Sequence, residues 1–238
     1  MVREKISRNL DERIILYEQK DIELLTEKRK IASKIMEALK KAGADPLLHG
    51  SVARGDVHEK SDVDIAVLNM TPSYIIEIAL DRFGLKQFER KIVQATPMST
   101  PKGYITLDPE GLIVVSFPLA RLQSREVEFY KFGGSISLEE LQEGKRVLGV
   151  NKRLELIKPI EHGYLVSSIL GREGEVASLL GISLETVLER MRVLSRRDKI
   201  GRTGVYLSEL VSTGESFEQK LKEIAERDPA VRRALRGR

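Results

Sequence analysis

LLHGSVARGDVHEKSDVDIAVLN, residues 47–69, is the stretch whose reading decides the fold. A short apolar run ends in Gly50-Ser51; ten residues further on, Asp62 and Asp64 flank Val63, just before the apolar Ile65-Ala66-Val67-Leu68. On a β-strand, residues two apart share a face, so Asp62 and Asp64 project side by side. Neighbouring carboxylates repel each other and are costly to desolvate, yet the apolar run marks this strand as a central one. A divalent cation resolves the conflict. Oxygen ligands of this kind suit magnesium, which keeps several waters and is completed by substrate phosphates. Gly50 and Ser51 fit the same chemistry: glycine lets a phosphate approach the backbone, and the following amides and hydroxyl donate to its oxygens. Arg54, one turn on, faces the same anion or pairs with Asp56 or Glu59 in its own loop.

Gly-Ser, ten residues, then Asp-Val-Asp-Ile resembles the signature of the DNA polymerase beta-type nucleotidyltransferase superfamily. The longer form GSVARGDVHEKSDVDIAV is similar to its minimal and antibiotic-modifying members. The resemblance implies that Asp62 and Asp64 hold magnesium and that Gly50 and Ser51 hold the β- and γ-phosphates of a nucleoside triphosphate. It also implies a reaction, attack of a hydroxyl on the α-phosphate with pyrophosphate leaving. The family's third carboxylate, expected on a neighbouring strand, has no clear counterpart here. Gln94 stands where it is first sought, and a neutral amide binds magnesium poorly and takes no proton. Asp108 is the nearest acid, but it opens the turn Asp108-Pro109-Glu110-Gly111, where an Asx residue has a structural use. Glu89 and Glu110 are the outside candidates.

Outward from this stretch, residues 2–42 read as helix with apolar steps at Ile22, Leu25, Ile31, Ile35, Met36 and Leu39. Residues 71–84 read as a helix starting at Thr71-Pro72 and ending at Gly84. Strands follow over 86–96 and 101–120, with the 108–111 hairpin between two of them. Within 125–134, REVEFYKFGG reads as a strand; SLEELQEGK reads as a capped helix. The result is an α+β chain: a nucleotidyltransferase-like mixed sheet with flanking helices over 44–157, preceded by a helical segment 1–43.

Past Pro159 the pattern changes. EHGYLVSSILG, REGEVASLLG and SLETVLERMRVLSRRDKIG read as three helices with glycine stops, and KIGRTGVYL reads as a hairpin. That order resembles a winged helix-turn-helix domain, placed at 158–213, with a last helix and basic tail at 214–238. The resemblance implies DNA or RNA as a partner, touched by Arg190, Arg192, Arg196 and Arg197 of the third helix and Arg202 of the wing. The alternative is that this domain serves dimerisation or positions a substrate.

Bulk properties narrow the field. A net charge of +4 and a pI near 9.2 allow an anionic partner without requiring one. With no cysteine, disulfides and thiolate chemistry are excluded. No apolar leader or membrane-length stretch is visible, so a cytoplasmic protein with no membrane partner is expected. Two functions fit: a magnesium-dependent nucleotidyltransferase using an NTP, or a catalytically weak nucleotide sensor coupled to DNA. A third reading makes the long N-terminal helix a pairing surface for another subunit, as in a homodimer.

Overall fold

The computed structural model describes residues 6–8, 11–201 and 204–236. The chain opens with β1 (Arg13–Leu16), α1 (Gln19–Lys41), β2 (Pro46–His49), α2 (Ser51–Arg54), β3 (Val63–Val67) and α3 (Ser73–Arg82). Next come β4 (Glu89–Gln94), β5 (Lys102–Thr106), β6 (Ile113–Pro118), α4 (Ser124–Gly133), β7 (Ser135–Ile136), α5 (Leu138–Gln142) and β8 (Gly149–Val150). The remainder is β9 (Glu155–Ile160), β10 (Gly163–Ser168), α6 (Glu173–Leu180), α7 (Leu184–Ile200), β11 (Leu207–Leu210), α8 (Phe217–Arg227) and α9 (Pro229–Arg236). These elements fall into two compact units, each assembled from three chain segments. The first takes 1–29, 49–61 and 124–203; the second takes 30–48, 62–123 and 204–238.

The second unit is built on a mixed sheet with strand order β11-β4-β5-β6-β3-β2. β4, β5 and β6 form an antiparallel meander, and β6 runs parallel to β3. The β5–β6 connection is the turn expected at 108–111, with Gly111 N donating to Asp108 O at 3.3 Å. One face of the sheet carries Val63, Ile65, Val67, Val115, Phe117, Ile105 and Ile92, all buried. Helices α3 and α8 meet this face. Arg90 on β4 pairs with Glu77 on α3 at 2.7 Å and lies over the Phe217 ring of α8, which in turn meets Phe117 edge-on. Glu218 of α8 accepts from both the backbone N and the hydroxyl of Ser73, fixing the start of α3 at Ser73 rather than Thr71. The last helix expected from the sequence is two, because Asp228 ends α8 and its carboxylate caps α9 at Ala230 and Val231.

The first unit holds an antiparallel sheet ordered β1-β10-β9-β8 and a core of Phe132, Val150, Leu154, Leu156, Ile169, Val176, Val187 and Leu194. α6 and α7 meet at the Gly181 turn, where Gly181 adopts φ +60°, and Ser183 caps α7 as its sequence suggests. The carboxylate of Glu128 on α4 accepts from the Ser183 hydroxyl and amide and from the Thr186 hydroxyl, which pulls its pKa below the usual glutamate value.

Four expectations are corrected here. Residues 13–16, expected within a helix, form β1 because they hydrogen-bond along β10. Residues 125–134, expected as a strand, fall in α4 up to Gly133; the apolar positions 127, 130 and 132 serve either period, and packing against α7 selects the helix. Residues 163–168, expected in the first of three helices, form a strand paired on both sides, so the boundary sought at Pro159 lies inside β9. The hairpin expected over 199–207 as a wing is not found among the described residues: α7 runs on to Ile200, and β11, which begins at Leu207, hydrogen-bonds to β4 in the second unit. Of the elements expected between Pro159 and Leu210, the structure has α6 and α7 with the turn at Gly181. Among the described residues no helix is long and apolar enough to cross a membrane.

Candidate active site

β3 rises out of a tight approach. Ser61 N donates to His58 O at 2.8 Å, and the Ser61 hydroxyl accepts from His58 N at 2.9 Å. The strand then alternates: Val63 and Ile65 point into the core, while Asp62 and Asp64 share the other face and are partly exposed. The sheet register sets their neighbours. Asp64 is level with Val114 on β6, Val114 with Thr106 on β5, and Thr106 with Glu89 on β4. The strand beside the aspartate pair therefore presents a valine where a third acid would have to stand. Glu89 lies three strand spacings away, about 14 Å, and pairs with Lys91 at 2.6 Å.

Gln94 is on the opposite face. It is fully buried, its Nε2 donates to Ser99 O at 2.8 Å, and its Oε1 has no hydrogen-bond partner among the described residues. Asp108 is consumed by its turn: its carboxylate accepts from Leu112 N at 3.0 Å and Ile113 N at 2.7 Å. The structure thus favours the turn-forming role of Asp108 over a catalytic one. Among the described residues no group of three or more His, Cys, Asp or Glu could hold a metal ion. Two carboxylates on one sheet face still fit magnesium, which needs only one or two from the protein when waters and phosphates fill the rest.

An open cleft of about 740 Å³ runs along this face, walled by Asp64, Thr106, Tyr104, Glu89, Phe88 and the 108–111 turn. It is acid-rich, and its one lysine, Lys91, is already paired with Glu89.

Gly50 and Ser51 lie in the first unit, so the two halves of the motif belong to different units of one continuous chain. Gly50 takes φ +84°, a conformation that favours glycine, and a Cβ there would meet nothing within 4 Å. Its amide is already spent on Gly134 O at 2.9 Å, and the Ser51 side chain is partly exposed. The short α2 that follows is held from several sides. Arg29 donates to Val52 O and Ala53 O at 3.1 and 3.2 Å, and the Tyr17 hydroxyl donates to Gly55 O at 2.9 Å. Arg54 is buried and makes three hydrogen bonds: two go to the Asp56 carboxylate at 2.9 Å each, and one to Gly133 O at 2.5 Å. Of the two uses expected of Arg54, phosphate contact or a pair within its own loop, the structure shows the pair with Asp56. Burial pushes the Asp56 carboxyl up from its usual value, and the facing guanidinium opposes that shift.

Two residues that sequence reasoning passed over support both halves of the motif. Lys28 and Arg29 are adjacent on α1. Arg29 holds the carbonyls of α2, and the buried Lys28 donates to Ser61 O at 2.8 Å and Glu59 O at 3.5 Å, just ahead of Asp62. A signal for Lys28 existed: it falls in step with Leu25, Ala32, Ile35 and Leu39, the buried stripe of α1.

The basic residues of α7 divide. Arg192, Arg196 and Arg197 are exposed. Arg190 packs 4.7 Å over the Phe129 ring, and burial beside Arg197 lowers its pKa to about 10. Arg202 lies outside the described residues.

No curated protein matches the chain. Residues 28–109, about a third of its length, match the family model described as a nucleotidyltransferase domain; the stretch begins at Lys28 and takes in both halves of the motif and the strand pair β4–β5.

Proposed function

We propose that this chain is a magnesium-dependent nucleotidyltransferase that moves a nucleoside monophosphate from an NTP to a hydroxyl acceptor. The observation that carries the reading is the aspartate pair, side by side on the open face of β3, within the stretch that matches the nucleotidyltransferase domain. In this reading Asp62 and Asp64 hold the metal, and the Gly50-Ser51 turn, fixed by Gly134, holds the triphosphate. Magnesium bound there would offset the charge that builds on the α-phosphate and the leaving pyrophosphate. The acceptor reaches Asp64 along the cleft that runs past Tyr104 and Glu89. Its oxygen bonds to the α-phosphorus, the α–β phosphoanhydride bond breaks, and the hydroxyl proton passes to solvent.

A second reading, a nucleotide sensor with little turnover, draws support from Val114 and Thr106, neutral residues between Asp64 and Glu89. Pyrophosphate release from each of the four NTPs, with magnesium and a panel of hydroxyl acceptors, separates the two. Release that disappears in Asp62→Ala/Asp64→Ala supports the transferase; magnesium-dependent NTP binding without release supports the sensor.

A further inference from the structure

We propose that α7 is a self-association surface, on which a second copy of this chain docks its own α7 antiparallel across a two-fold axis. At about 100° per residue, Glu185, Glu189, Arg192 and Arg196 fall within about 60° of one another, on the side opposite the buried Val187 and Leu194. The stripe is acidic in its first half and basic in its second. An antiparallel partner sets each half against its opposite: Glu185 meets Arg196 of the second copy and Glu189 meets Arg192 of the second copy, each twice by symmetry. The apolar residues beside the stripe point to the same occupant. Leu184 and Leu188 are 43% and 42% exposed on α7, Ile200 is 58% exposed at its end, and Leu179 is 46% exposed on α6 just before the turn. In the antiparallel register Ile200 comes opposite the α6–α7 turn of the second copy, and the aliphatic stems of the arginines cover Leu184 and Leu188.

A nucleic-acid reader fits the same helix less well. The N-terminal residues of a recognition helix contact base edges, and here they are Leu184, Glu185, Leu188 and Glu189. Among the described residues the stripe makes a 3.7 Å contact between Glu189 and Arg125, both half-exposed, an ion pair of little worth in water.

The test uses the full chain and two charge-reversed variants, Glu185→Lys/Glu189→Lys and Arg192→Glu/Arg196→Glu, each checked for native circular dichroism and followed by sedimentation velocity. The wild type is expected to be a dimer at micromolar concentration. Each variant alone opposes like charges and weakens self-association by more than about 100-fold, and an equimolar mixture of the two recovers a heterodimer in which a wholly basic stripe faces a wholly acidic one. A monomeric wild type, a variant that dimerises as the wild type does, or folded variants that fail to associate on mixing would each overturn the proposal. So would a monomeric wild type that binds duplex DNA at low salt and loses it in Arg192→Glu/Arg196→Glu.

Discussion

Asp64 and Gln94 lie on opposite faces of one sheet: the register carries Asp64 through Val114 and Thr106 to Glu89, which leaves Gln94 turned with Arg90 and Ile92 towards α3 and α8. Gln94 is thus no worn-out catalytic residue. It is a core amide that ties down the loop after β4 through Ser99.

An acid at position 94 therefore restores nothing. Gln94→Glu buries a carboxylate against the carbonyl of Ser99, and its expected result is a loss of about 3–5 kcal/mol in stability, read by urea denaturation, with no gain in transfer. Val114→Asp places a carboxylate level with Asp64 on the adjoining, partly exposed strand position. It is expected to tighten magnesium binding by about tenfold, an effect of the size that carboxylates near a metal site have, measured by calorimetry in the presence of NTP.

Arg54 is expected to matter for folding before it matters for substrate. Arg54→Met leaves Asp56 buried without its counter-charge and frees the carbonyl of Gly133; the expected cost is about 3–5 kcal/mol, seen in chemical denaturation. Arg54→Lys recovers only part of it, because an ammonium cannot reproduce the bidentate pair.

Lys28 is expected to act on ligand binding through the backbone of the loop before Asp62. Lys28→Met removes the donor to Ser61 O and Glu59 O while keeping the length of the side chain. We expect the magnesium half-saturation of NTP binding to rise by about 10–100-fold, and Lys28→Arg to restore it. Equal loss in both variants would point to packing alone.

Acid should loosen the joint between α4 and α7. Hydrogen bonds from Ser183 and Thr186 hold the Glu128 pKa below its unfolded value of 4.5. Its contribution to stability is present above pH 4.5 and lost as pH falls through the lower folded value. In Glu128→Gln that part of the acid dependence should disappear from thermal melts taken between pH 6 and about 3.

Local chemistry was legible in the sequence. The Gly-Ser and Asp-Val-Asp strands, the 108–111 turn, the capping box of α5 and the Gly181 stop each follow from a few neighbouring residues, and the structure has them. What depends on distant partners was not. RIIL at 13–16 becomes a strand only because β10 lies beside it, and the apolar spacing of VEFYKF serves helix and strand alike. The face on which Gln94 points follows from three successive strand registers, none written in residues 89–94 themselves. The Arg54–Asp56 pair was foreseeable as one of two uses for that arginine. Its link to Gly133 was not, because it spans 79 residues of chain.

The most direct test follows the two ends of the triphosphate separately, with NTP labelled in one sample at the α-phosphate and in another at the γ-phosphate. The account predicts that, with magnesium, the α-label moves onto the acceptor while the γ-label leaves as pyrophosphate, and that both stop in Asp62→Ala/Asp64→Ala. An α-label that never leaves the nucleotide across the acceptor panel, or transfer that survives loss of both aspartates, would contradict it.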